Sequence, residues 1–109
     1  MKKDEKLPIE ALNFIAQKFH SLSDPVRLQI IQELKEGEKS GKELIEIIQT
    51  SQSTISKQLK NLFKTEIVDR RQDGNTIYYY IKDETIHDIC KIVCSKIKRD
   101  LDDLNKSFK

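Results

Sequence analysis

Apolar residues along the 109-residue chain recur at two periods, and the change from one to the other separates a run of helices from a hairpin. After Pro8, the residues Leu12, Ile15, Ala16 and Phe19 fall at helical intervals until Leu22-Ser23-Asp24-Pro25 interrupts them. Asp24 then Pro25 is a helix start: an N-cap oxygen, followed by a residue whose missing N–H costs nothing in a first turn. Leu28, Ile31 and Leu34 continue that helix on one face, and Gly37 is expected to close it. Ser40 with Glu43 three residues on has capping-box spacing and opens a short helix, whose buried side is expected to be Leu44, Ile47 and Ile48. A further helix is predicted from about Ser51 to Lys64. Its apolar face is Ile55, Leu59, Leu62 and Phe63, and its opposite face carries Gln52, Ser53, Ser56, Lys57 and Lys60.

From Ile67 the period shortens. Two runs, 67–72 and 76–81, flank Asp73-Gly74-Asn75, and Asp-Gly between such runs predicts a hairpin over 67–81, glycine supplying the positive φ of a tight turn. A last helix, expected over 83–105, carries Ile86, Cys90, Val93, Ile97, Leu101 and Leu104 at spacings of four, three, four, four and three. That near-heptad stripe reads as the seam of a helix pair; the alternative is that it folds back on its own domain.

The order of these elements matters. Two short helices joined by a polar turn, over 40–64, follow the helix-turn-helix plan, in which the second helix enters the major groove of double-stranded DNA. There, amide and hydroxyl groups meet base edges and lysines such as Lys57 and Lys60 meet phosphates. The hairpin that follows has the size of a wing, with Arg70, Arg71, Gln72, Asn75 and Thr76 available to backbone or minor groove. A solvated amphipathic helix is the bland reading of 51–64 taken alone; the preceding helix and the basic hairpin, in that order, favour DNA.

Composition agrees with this outline and removes other classes. Charged residues make up 35% and hydrophobic residues 37%, with no tryptophan, so a single thinly cored domain over 1–109, with an N-terminal arm at 1–8, is expected to need a partner subunit. The net charge of +2 says little until it is divided by region. Residues 51–72 hold five basic and two acidic side chains, whereas 73–109 are balanced and 1–50 carry one acidic residue in excess. All the positive excess therefore falls on the proposed reading helix and first wing strand. No run approaches the roughly 18 apolar residues of a membrane span and no apolar segment follows the mixed-charge start, so a cytoplasmic protein with no membrane partner is expected. No glycine-rich phosphate loop, nucleophile elbow or metalloprotease motif is present, which argues against an enzyme. The rival class is a winged-helix protein-interaction module.

Three segments resemble signatures of ArsR/SmtB-type winged-helix repressors: Leu22-Ser23-Asp24-Pro25-Val26-Arg27-Leu28-Gln29-Ile30-Ile31, the run 51–62, and Arg70-Arg71-Gln72-Asp73-Gly74-Asn75-Thr76-Ile77-Tyr78-Tyr79-Tyr80. The resemblance runs from about Leu12 to Leu104. It implies a mainly α fold with a small β-hairpin, a winged helix-turn-helix dimerising through its first and last helices, and an operator-binding homodimeric repressor released by an inducer. It places base reading on Gln52, Ser53, Thr54, Ser56 and Lys57 and the wing tip on Gln72 to Thr76. Two positions depart from the family: Gln58 stands where a histidine is common, and Glu66 where a glycine closes the reading helix.

The sensing sites the resemblance implies are not matched. The helix at 41–48 has no cysteine or histidine, and of the carboxy-terminal zinc ligands only Asp83 has a counterpart, with Thr85, Lys96 and Arg99 at the other positions. A different cluster, His87, Cys90 and Cys94, lies within about 60° around the last helix. It could hold a soft metal or metalloid, or supply redox- or persulfide-sensing thiols. The plain alternative keeps Cys90 as a small hydrophobe on the seam, Cys94 beside it, and a regulator with no ligand site. No cofactor is required by any of these readings.

Overall fold

The computed structural model describes residues 6–107, so the first five residues of the expected 1–8 arm lie outside the described residues. Five helices and three short strands follow in the order α1 (Ile9–Ser21), α2 (Pro25–Leu34), β1 (Lys39–Ser40), α3 (Gly41–Ile48), α4 (Gln52–Lys64), β2 (Val68–Asp73), β3 (Thr76–Ile81) and α5 (Thr85–Ser107). Asp24 caps α2 as its sequence demands, its carboxylate accepting from the N–H of Val26 at 2.8 Å and of Arg27 at 3.1 Å. The helix stops at Lys35, before the expected Gly37, whose φ of 145° instead serves the loop into β1.

β1 is not foreseen from the sequence, because two residues are too few to show a period. It pairs antiparallel with β3, Lys39 opposite Tyr79 and Ser40 opposite Tyr78, giving a sheet ordered β1-β3-β2. Ser40 then serves α3 as well: its hydroxyl accepts from the Glu43 N–H at 3.1 Å while the Glu43 carboxylate accepts from the Ser40 N–H at 3.0 Å, the reciprocal capping box. The loop between α3 and α4 turns on Gln49, at φ 60°. Ser51 lies just outside α4 as its cap. At the other end, the Ile67 N–H donates to the Leu62 carbonyl and the Glu66 N–H to the Phe63 carbonyl, a Schellman closure with Glu66 at φ 62°. The hairpin turns on Gly74-Asn75, with Asp73 opposite Thr76 in register and Gly74 at φ 63°.

The core is small and sits where α2, α3 and α4 meet the base of the sheet: Ile30, Ile31, Leu34, Leu44, Ile55, Leu59, Leu62, Ile67, Val68 and Ile81, joined from α5 by Ile86 and Cys90. Each such aliphatic side chain contributes about 1.5–3 kcal/mol by leaving water. One expectation is corrected here. The two-turn helix α3 meets the core along Leu44, Ile45 and Ile48, leaving Ile47 on the outer edge, 47% exposed.

Two apolar surfaces lie outside that core. Leu12, Ile15 and Phe19 of α1 are exposed, and beyond Cys90 the α5 stripe of Val93, Ile97, Leu101 and Leu104 remains 51–55% exposed. The stripe therefore does not fold back on its own protomer past its first turns. Where α1 and α5 approach, Ile15, Phe19, Leu22, Ile86 and Ile89 line an apolar cleft of about 250 Å³ with a Lys18–Asp83 ion pair at its edge.

Candidate nucleic-acid interface

α4 contains no acidic residue. With Ile55, Leu59 and Leu62 committed to the core, helical spacing turns Ser53, Lys57, Lys60 and Lys64 outward in one row, all four exposed. Lys64 is the member that sequence reasoning passed over, although it continues the same spacing by one more turn. Gln52 and Ser56 lie on the flank of α4 that faces the wing, in a cleft shared with Tyr79.

Thr54, assigned to base reading by resemblance, lies elsewhere. It is half-buried, its N–H donates to the Ser51 hydroxyl oxygen at 3.1 Å, and its own hydroxyl accepts from Ser51 at 2.8 Å. Its hydroxyl oxygen is engaged by the cap residue, while its own O–H remains free to donate. Gln58 is also turned inward, 9% exposed, with its amide oxygen accepting from Arg27 Nη1 at 2.9 Å.

Strand alternation separates the two wing arginines. Arg70 points toward α4, its guanidinium 4.6 Å above the centre of the Phe63 ring, and lines with Ser56, Lys60 and Tyr79 a cleft of about 380 Å³ between the reading helix and the wing. This explains why Phe63, expected on the apolar face, is left partly open: it is a platform for a cation. Arg71 points the other way. Its Nε donates to both Glu38 carboxylate oxygens at 2.9 and 3.1 Å, Nη2 reaches the same carboxylate, and the guanidinium stacks 4.7 Å from the centre of Tyr78. The hydrogen bonds from Arg71 hold the Glu38 carboxyl below its ordinary pKa, against a smaller opposing effect of desolvation, and Glu38 in turn raises that of Arg71. Arg71, expected to be available to backbone or minor groove, is thus paired with Glu38 in an exposed ion pair. At the tip, Gln72 Nε2 donates to the Gly74 carbonyl at 3.1 Å, and Asn75 and Thr76 are exposed. Lys57, Lys60, Lys64 and Arg70 form no ion pair among the described residues.

The α5 cluster is less convergent than its helical angles imply. His87 and Cys94 are seven residues apart, about 10 Å along the axis, too far to share one ion within a protomer. Among the described residues no group of three or more histidine, cysteine, aspartate or glutamate side chains could hold a metal. Cys90 is buried, and that burial raises its thiol pKa, with Lys35 pulling the other way and Cys94 adding to the rise; Cys94 is exposed. His87 faces Glu84 at 3.8 Å. Asp83, the one residue with a zinc-ligand counterpart, is already engaged by Lys18 and by the Thr85 hydroxyl at 2.5 Å and N–H at 3.1 Å. Burial pushes its carboxyl up, and these partners together more than reverse that, leaving it below its ordinary value.

Comparison with known proteins agrees with this geometry. The family model described as bacterial regulatory protein, arsR family, matches residues 24–70, from the α2 cap to the first wing strand. The arsenical resistance operon repressor of Staphylococcus aureus is 40% identical over 68 residues, 62% of this chain, which spans 65% of that relative's length. In the crystal structure of the transcriptional repressor BigR from Xylella fastidiosa, 30% identical, the match covers 87% of this chain and 95% of that one with a TM-score of 0.75. For the fold alone, the homodimeric winged helix-turn-helix domain Mb0332 from Mycobacterium bovis, 24% identical, matches 89% of this chain and 92% of its own with a TM-score of 0.78. An acid-free reading helix behind a capped turn, a wing beside it, and these relatives lead to one assignment: the chain belongs to the arsR family of winged helix-turn-helix, DNA-binding transcriptional regulators.

Proposed function

We propose that this regulator is a sequence-specific repressor that binds operator DNA as a homodimer paired through α1 and α5, and that an inducer releases it. The observation that carries the DNA-binding part is the row Ser53, Lys57, Lys60 and Lys64 beside Arg70, four cations and a hydroxyl on one side with no carboxylate paired to them among the described residues. Gln52, Ser53 and Ser56 have the donors and acceptors for base edges, and Lys60, Lys64 and Arg70 have the charge for phosphates. Asn75 and Thr76 are left for the minor groove. Pairing is supported by the uncovered apolar stripes of α1 and α5 and by the homodimeric state described for Mb0332. For release, Cys94, exposed on the single protomer where Cys90 is shielded, is the thiol assigned to a reactive or soft-metal inducer.

Titration of the full chain with duplex DNA at several salt concentrations tests this reading. Affinity falls steeply with salt, and Lys60→Ala reduces the log–log slope by about 1 and weakens random and selected duplexes alike. Ser56→Ala or Gln52→Ala changes base preference instead. Negligible duplex binding at low salt overturns the proposal in favour of a protein-interaction module. The same titration repeated with oxidant, a persulfide donor, zinc and arsenite reads the release step.

A further inference from the structure

One guanidinium joins three helices. Asp24 caps α2 so that Arg27 stands in its first turn, with its side chain directed back toward the end of α1. There Arg27 Nε donates to the Ser21 carbonyl at 2.7 Å and Nη2 to the His20 carbonyl at 3.3 Å, two of the last carbonyls of α1, where a cation is favoured by the helix dipole. The remaining arm, Nη1, donates to the Gln58 amide oxygen at 2.9 Å in the middle of α4. Gln58 lies on the flank of α4 away from the wing and is 9% exposed, so it cannot meet a base edge without leaving this contact.

We propose that Arg27 and Gln58 are positioning residues that fix the reading helix at a set angle to α1, and thereby set the half-site spacing the dimer accepts. The inference rests on the homodimer reading above and adds to it the element that carries orientation. The two reading helices of a dimer must meet major grooves about 34 Å apart on one face of DNA. If α1 belongs to the pairing surface, the angle between α1 and α4 decides where each reading helix arrives. A fork-shaped cation anchored at two points on α1 and one on α4 resists change in that angle, and a single hydrogen bond to a charged group is strong enough to matter.

The test uses the full chain and duplexes that it selects from a randomised library, together with versions of those duplexes whose half-site spacing is lengthened by one base pair. Gln58→Leu keeps the volume and removes the acceptor; it is expected to lose about tenfold in affinity for the selected duplex, to change little on random DNA, and to discriminate less between the two spacings. Gln58→Glu restores an acceptor for Arg27 and is expected to recover both affinity and spacing discrimination. A direct DNA contact predicts the reverse ranking, since a carboxylate facing phosphates is worse than leucine. Arg27→Lys keeps a cation at the end of α1 but loses the fork, and is expected to reproduce Gln58→Leu even if that variant folds poorly. Thermal unfolding and the dimerisation constant, measured in parallel, separate positioning from loss of fold. Unchanged spacing discrimination in Gln58→Leu and Arg27→Lys, with the wild type binding normally, overturns this inference alone. Failure of the wild type to select any duplex overturns the DNA-binding reading and this inference with it.

Discussion

Glu66 holds the backbone angle that glycine would hold at no steric cost, and it does so while closing α4 with both Schellman hydrogen bonds. Its carboxylate lies 3.4 Å from Lys82, but both side chains are largely exposed and such a pair is worth little. The backbone term therefore wins, and Glu66→Gly is expected to raise stability by about 1 kcal/mol, measured by urea unfolding at fixed protein concentration. This position was legible in the sequence, because the departure from glycine marks where strain must sit. Arg71 was not. Its neighbour Arg70 is identical in type, and only the alternation of β2 against Glu38, 33 residues away, makes one a free cation and the other half of an ion pair. Gln58 was hidden for the same reason: an amide at the margin of a helix's polar face reads as surface until a distant arginine is seen beside it.

Among the elements, local signals located the helices well. Asp24-Pro25, the Ser40–Glu43 box, Ser51 and Asp73-Gly74 each act within a few residues, and the corresponding boundaries follow them closely. What escaped depends on partners far along the chain, β1 foremost. The tie between α1 and α5 is of that kind too, since Lys18 and Asp83 lie 65 positions apart. Asp83 is partly buried and its carboxyl is held below its ordinary pKa, so its contribution is complete above the unfolded value and is lost as pH falls through the folded one. Unfolding of the wild type is therefore expected to grow more acid-sensitive below about pH 4, and Asp83→Asn to cost about 1 kcal/mol at neutral pH with a flatter acid limb. An acid limb unchanged by the substitution would assign that tie no role in stability.

At the scale of the whole molecule, the chain is extended rather than compact. A compact domain of this length has a radius of gyration near 13 Å, whereas this chain has 16.7 Å and extents of 48 × 48 × 21 Å. The 23 residues of α5 make a rod about 34 Å long, of which the first turns alone reach the core. On the dimer reading, its exposed stripe is the missing part of the core. Leu101→Asp, distant from α4 and the wing, is expected to convert dimer to monomer in sedimentation and to abolish the concentration dependence of the unfolding midpoint, while helix content measured by circular dichroism falls only slightly. A midpoint independent of concentration in the wild type would count against pairing through this face.

The two-residue strand β1 divides the wing into parts with different freedoms. At Tyr78 and Tyr79 the sheet is three strands wide, and Ser40 binds it to the start of α3, so Arg70, opposite Tyr79, stands on a foundation shared with the helix-turn-helix. From Gln72 to Ile77 the hairpin has no third strand, and an isolated two-stranded ribbon is marginal in water. The base of the wing, with Arg70, is thus held firm while its outermost residues are freer to bend. On the proposed operator-binding reading, DNA that differs in the sequence flanking each half-site would be accommodated at the tip without disturbing the register of the reading helix.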